Sequence, residues 1–101
     1  MNEIPLIEKA IVIDPRDNIA VAKVSIGLGT VLRLNGTKLS ITQTVPPGHK
    51  IALKPIAKGE AVVRYGEIIG AATQNIAQGS PVHVHNMTIE NLTRQYEYCV
   101  V

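Results

Sequence analysis

A chain of 101 residues with 46% hydrophobic content, three Tyr and no Phe or Trp fits one domain whose modest core is built from Val, Ile, Leu and Ala. Ten basic and eight acidic residues leave a net charge of +2, scattered without a basic run. With no aromatic platform for stacking bases, nucleic acid is excluded as the expected partner. No apolar run reaches the roughly 18 residues of a membrane span. The N-terminus lacks a signal-peptide pattern and Cys99 is the only cysteine, so no membrane anchorage is expected and the expected compartment is the cytoplasm.

The first segment, residues 4–13, ends in Ala10-Ile11-Val12-Ile13 and reads as a strand. Asp14-Pro15-Arg16-Asp17-Asn18 breaks it: Pro fixes φ and lacks a donor, and Asp and Asn bond back to nearby backbone, so a turn is expected. Residues 19–26 alternate as a second strand, with Ala20, Ala22, Val24 and Ile26 forming a uniformly apolar face expected to point inward. Gly27-Leu28-Gly29-Thr30 reads as a turn or bulge, since it lacks the Lys-Ser/Thr pair of a phosphate loop. Asn35-Gly36 between two strand-like runs, 30–34 and 37–42, predicts a type I′ hairpin. Val45-Pro46-Pro47-Gly48 stops the second arm, and residues 49–53 resume an extended pattern.

Two further short strands, 62–66 and 67–73, precede a last extended run, Pro81-Val82-His83-Val84-His85-Asn86-Met87. The phrase I-A-x-G-x-x-V occurs at 56–62 and again at 76–82, each copy a glycine turn between apolar pieces, and suggests a pseudo-symmetric pair of β-units. The polar stretch 88–98 reads either as a helical turn or as a covering segment. With no long amphipathic helix and many short strands between Gly/Pro turns, the fold class is all-β. The chain reads as one domain over 1–101, with a core at 11–87 and a tail at 88–101.

His83 and His85, one residue apart in a run that looks extended, would face the same way roughly 7 Å apart. Two such imidazoles suit a divalent metal or a substrate, but a catalytic zinc or ferrous site needs a third ligand, from His49, from a carboxylate such as Asp17, or from a partner chain. The bland alternative is a solvated polar face. His49-Lys50, after the Pro-Pro-Gly turn, reads either as a rim contact for an anion or as a solvated edge. Arg64-Tyr65 has the same two readings, with surface pairing favoured. No nucleophile-elbow or triad pattern is present.

Four blocks carry a resemblance: residues 14–22, residues 47–52, residues 65–72 and residues 79–86. Together, in order and spacing, they resemble the N-terminal region of the altronate and galactarate dehydratase family. That region is a SAF domain, similar to the type III antifreeze fold and to the C-terminal domain of sialic acid synthases, with a β-clip architecture. The resemblance covers Asp14 to Met87. It implies a stand-alone small subunit that works with a large dehydratase subunit on a small hydroxy-acid substrate. It also implies lyase chemistry on altronate- or galactarate-like sugar acids, or, in a related branch, on sulfolactate, with Fe2+ or another divalent metal shared with the large subunit.

Carried onto this sequence, the resemblance implies His49, Lys50 and His85 as catalytic residues, contacting a carboxylate or carrying a proton. It implies Asp17, Asn18 and Asn86 on the substrate side, the first two also supporting their loop, and His83 and His85 on the metal. A homo-oligomer is a further expectation. The competing readings are a non-catalytic SAF module that binds carbohydrate or a partner, and a small RNA-binding barrel, against which the missing aromatic platform argues.

Overall fold

The computed structural model describes residues 3–88. In chain order it holds nine short strands: β1 (Glu3–Pro5), β2 (Ala10–Ile11), β3 (Ile19–Ala22), β4 (Val31–Leu34), β5 (Thr37–Ser40), β6 (Lys50–Ala52), β7 (Ala61–Arg64), β8 (Glu67–Ala71) and β9 (Pro81–Val82). The single helical piece among the described residues is a 3₁₀ turn, Leu6–Glu8. The all-β expectation therefore holds, and the architecture agrees with a β-clip.

A four-stranded sheet in the order β2-β3-β6-β9 forms the middle of the molecule, and all its neighbours are antiparallel. Both of its faces are apolar. Ala20, Ala22 and Ile51 enter one core with Leu32, Leu39 and Val45, under the β4–β5 hairpin. Ile19, Ala52 and Val82 enter a second core with Val62, Ile76 and Met87, under the β7–β8 hairpin. This corrects the reading of residues 19–26. The strand stops at Ala22, and both its faces point inward, because the sheet is a wall between two cores rather than the floor of one. Val24, placed on the inward face by alternation, is 42% exposed.

The segment 4–13 is not one strand either. Glu3–Pro5 pairs parallel with β4, the 3₁₀ turn reverses direction, and Ala10–Ile11 pairs with β3. Pro5 before the turn removes the donor that a continuous strand needs.

The I-A-x-G phrase belongs to a larger pattern. Four corners share one design: an apolar residue (Ile26, Val45, Ile56, Ile76), then a glycine three residues on. Gly29, Gly48, Gly59 and Gly79 have φ of 87°, 83°, 89° and 84°. Each corner closes with an i to i+3 bond: Thr30 N to Gly27 O (3.1 Å), His49 N to Pro46 O (3.2 Å), Glu60 N to Ala57 O (2.9 Å) and Ser80 N to Ala77 O (3.1 Å). Positive φ at the third turn position is the type II arrangement, which glycine alone adopts without strain, and Pro47 fills the second position that this turn favours.

The corners pair within halves. Ile26 and Val45 exchange two backbone hydrogen bonds (2.9 and 2.8 Å), and so do Ile56 and Ile76 (2.9 and 2.8 Å). The two look-alike phrases therefore sit in one half and face each other, and the internal twofold relates the halves instead. Ile26 corresponds to Ile56, Gly29 to Gly59 and Asn35-Gly36 to Tyr65-Gly66, an offset of 30; Val45 corresponds to Ile76 and Gly48 to Gly79, an offset of 31. The extra residue is visible in the register: Val62 pairs with Gly70 and Val63 with Ile68, which leaves Ile69 as a β-bulge. Strands 62–66 and 67–73 are thus the arms of a second hairpin, with Tyr65 at φ 58° and Gly66 at φ 74° repeating the left-handed pair of Asn35 and Gly36.

Candidate functional site

The loop 14–18 is built around its carboxylates and one amide. Asp14 receives the Arg16 backbone N (2.8 Å) and both prongs of its guanidinium (2.9 and 2.9 Å). The guanidinium is the main reason the Asp14 carboxyl lies well down, at about 2. Asp17 Oδ1 accepts from Gly66 N (2.8 Å), so it holds the tip of the second hairpin. Gly66 sits at φ 74°, which favours glycine; a Cβ there would also displace the Arg16 guanidinium, the end of a flexible, exposed side chain. Asn18 is buried; its Nδ2 donates to Ala61 O (2.8 Å) and its Oδ1 accepts from Val63 N (2.8 Å). Asn18 thus reaches across more than 40 residues to fix β7, and Asp17 does the same for the tip of its hairpin, so both are engaged in positioning.

β7 ends in Arg64, and β6 begins with Lys50. Lys50 pairs in register with Val21 and Val82, on the sheet face that looks toward the β7–β8 hairpin. Burial, and secondarily the charge of Arg64, push its ammonium below the usual lysine range. Arg64 lies over the Tyr65 ring (5.1 Å from guanidinium carbon to centroid), and its Nε is buried without a hydrogen-bond partner among the described residues. The three ion pairs of the described residues join Arg16 to Asp14 and Arg33 and Lys38 to Glu3, so neither Lys50 nor Arg64 has a carboxylate partner there. Beside Lys50, His49 leaves its type II corner and stacks on His83, which follows Val82; the rings are 4.8 Å apart at 27°. A partly buried ammonium that feels a second positive charge and has no counter-anion among the described residues is costly unless an oxyanion completes it. The stacked imidazoles, one residue beyond each strand, offer hydrogen-bond donors and acceptors of their own.

The run 81–87 is not a strand. β9 stops at Val82, and residues 83–86 form a tight turn, with Asn86 N and Met87 N both donating to His83 O (3.0 and 3.1 Å). Buried Asn86 clamps it: Oδ1 accepts from His83 N (2.9 Å) and Nδ2 donates to Pro81 O (2.9 Å). His83 and His85 therefore do not share a strand face. His83 meets His49, whereas His85 lines a separate open cleft with Gln43, Gln74 and Ser80. Asn86, four residues past Val82, gives an Asx-type bond that competes with ladder pairing, and alternation alone does not reveal it.

Among the described residues no three His, Cys, Asp or Glu side chains gather to hold a metal ion. With its two nearest imidazoles stacked and its third elsewhere, this part of the chain does not fit a complete divalent-metal site. The fold brings His49 onto His83, while Lys50, one residue further along and first in β6, points to the other face of the sheet; His85, Asp17, Asn18 and Asn86 belong to neither place. Arg64 is the residue that sequence reasoning left on the surface. The internal repeat was the signal: Arg64 precedes the second hairpin tip as Leu34 precedes the first, so it ends a strand over a core. No helix of the described residues is long and apolar enough to cross a membrane.

A pseudo-twofold all-β domain with four type II corners agrees with a β-clip domain of the SAF kind. The chain belongs to the altronate/galactarate dehydratase SAF domain family, whose profile matches residues 8–90. It is 44% identical over 84 residues to an altronate dehydratase of Escherichia coli (strain K12), covering 81% of this chain and 17% of that protein. It is 40% identical over 50 residues to the (2R)-sulfolactate sulfo-lyase subunit alpha of Chromohalobacter salexigens, covering 50% of this chain and 53% of that one. The corresponding subunit alpha of Paracoccus pantotrophus is 39% identical over 49 residues, 48% of this chain and 73% of that one. The chain thus spans only a small part, 17% and 15%, of the altronate dehydratases it matches.

Proposed function

We propose that this chain is the small subunit of a hydroxy-acid lyase, dehydrating an altronate- or galactarate-like sugar acid together with a large catalytic subunit. The observation that carries the reading is Lys50, a partly buried ammonium that feels the charge of Arg64 and has no carboxylate partner among the described residues, one residue from His49, which stacks on His83. In such a dehydration a proton leaves the carbon α to the carboxylate and the β-hydroxyl departs, so negative charge grows on the carboxylate as an enediolate. Lys50 and Arg64 hold that carboxylate, Arg64 through its planar fork and Lys50 as a point charge. His49 or His83 exchanges a proton with the substrate or with water. Asp17, Asn18 and Asn86 act through β7 and the 83–86 turn, which carry Arg64 and His83. The divalent ion, Fe2+ in this reading, is held chiefly by the large subunit.

A second reading is favoured by one relative. The matched stretch covers 73% of a sulfo-lyase subunit alpha, itself a small separate chain. A sulfonate has the same need for paired cations as a carboxylate.

The test is co-expression with a large-subunit partner and assay of altronate, galactarate and sulfolactate turnover. The chain alone is expected to be inactive, and the complex active. Lys50→Met and His49→Ala in an assembled complex are expected to lower kcat/KM by about 10²-fold or more, the range for removing an oxyanion contact or a general acid-base group. Dehydration by the isolated chain overturns the subunit reading, and full activity in both variants overturns the assignment of the site.

A further inference from the structure

The internal twofold places two equivalent glutamines at one cleft. Thr42-Gln43-Thr44 precedes Val45 in the first half, and Thr73-Gln74-Asn75 precedes Ile76 in the second, at the offset of 31. Gln43 and Gln74 both line an open cleft of about 330 Å³, together with Asn75, Ser80 and His85 and the apolar Ala77 and Pro81. That volume is at the lower end of ligand-sized clefts, about 300–1,000 Å³. Among the described residues no Asp, Glu, Lys or Arg lines it.

Its polar groups are only partly spent. Ser80 Oγ shares a hydrogen bond with Thr42 Oγ1 (2.8 Å), and Asn75 Oδ1 accepts from Lys58 N (2.9 Å), which leaves the Asn75 amide donors. Gln74 Nε2 reaches the His85 carbonyl only at 3.5 Å, and Gln43 makes no side-chain hydrogen bond among the described residues.

The chemistry of this lining selects a ligand class. A carboxylate accepts only, and is matched by cations or by converging N–H groups. A carboxamide presents donor and acceptor together, as a hydroxyl does, and so does a neutral imidazole. Two carboxamides, a free amide edge, a hydroxyl and an imidazole beside apolar Ala77 and Pro81 match a run of neutral hydroxyls on a carbon chain. We propose that this cleft is a binding subsite for a neutral polyol segment, separate from the cationic cluster. The 83–86 turn parts its two imidazoles, with His83 against His49 and His85 in the cleft. The subsite stands on its own geometry and holds whether or not the chain is a lyase subunit.

The test uses the isotope-labelled chain and nuclear magnetic resonance titration with D-sorbitol as a neutral polyol and sodium lactate as a small anion. Sorbitol is expected to shift the side-chain amide signals of Gln43, Gln74 and Asn75 and the backbone signal of His85, saturating with a Kd on the order of 10 mM. Lactate is expected to leave those signals in place. Gln43→Leu with Gln74→Leu, both on exposed side chains, is expected to keep the spectrum of a folded chain and to weaken sorbitol about fivefold or more. Sorbitol shifts that never saturate or that spread evenly over the surface overturn the proposal. So does a double variant that titrates like the parent, and so do cleft signals that respond to lactate as strongly as to sorbitol. Turnover plays no part in the readout, so this proposal and the lyase reading fail separately.

Discussion

Asn18 does with its side chain what a strand residue does with its backbone. Its amide donates to Ala61 O and accepts from Val63 N, both at 2.8 Å, and so extends the central sheet toward β7. Asn18→Ala strands those two backbone groups in a buried place, where each unmet group costs about 1–3 kcal/mol. A loss of about 2–4 kcal/mol is expected, read as a lower urea midpoint with an unchanged slope; against total stabilities of about 5–15 kcal/mol this is a large share. In the sequence Asn18 reads only as turn chemistry, because its partners lie 43 and 45 residues away. Asp14 gives a different signature. Its carboxyl is lowered from 3.8 to about 2, chiefly by hydrogen bonds from Arg16. A lowered carboxyl stabilises the fold above its unfolded pKa and loses that contribution as pH falls through the folded one. The parent is therefore expected to lose stability from about pH 4 down to about pH 2, and Asp14→Asn to decline less steeply over that window in denaturant titrations.

At the scale of the element, the four corners separate backbone strain from crowding. Gly59 and Gly79 share nearly the same φ, 89° and 84°, but a Cβ at 59 meets nothing within 4 Å, while at 79 it would overlap the Ser40 carbonyl oxygen. Gly59→Ala is expected to cost about 1–2 kcal/mol, the left-handed penalty alone. Gly79→Ala adds overpacking of about 1–3 kcal/mol, and paired thermal or urea unfolding measures the difference. Equal losses at the two corners would remove the packing argument. The hairpins make the complementary comparison. The first was legible, since Asn-Gly tolerates φ > 0 at both turn positions. The second was not, since Tyr65 sits at φ 58° against its own preference and gives no turn signal. Tyr65→Asn relieves about 1–2 kcal/mol of that strain and loses an exposed cation–π contact with Arg64 worth about 0.5–1 kcal/mol. The larger effect wins, and a small net stabilisation is expected.

Across the whole molecule, what the sequence hid was which faces meet. Alternation in 19–26 marks apolar positions correctly but assumes one core, whereas the sheet divides two. The same blindness applied to the site: His-x-His spacing suggested a shared face, but the Asn86 clamp turns the chain and sends His83 to His49. His49 and Lys50 were legible as a corner followed by a strand; Arg64 became a candidate only once β7 was laid over the second core. That placement carries a cost that the fold bears throughout. Burial and the Arg64 charge lower the Lys50 ammonium below its ordinary 10.5. A lysine lowered in the fold holds its proton more tightly when unfolded, so stability rises as pH climbs toward the unfolded value. Lys50→Met removes the penalty. The variant is expected to be more stable than the parent at pH 7, by less than about 1 kcal/mol because the group is partly solvated. The gap is expected to narrow as pH climbs toward the ordinary lysine value and to close above it, where the parent's Lys50 is neutral in both states. Added sulfate, an oxyanion, is expected to stabilise the parent more than the variant, because only the parent keeps both cations. A Lys50→Met chain that is less stable at pH 7, with equal gains from sulfate, would mean that the lysine stem packs for stability and that the cationic end is not built to receive an anion.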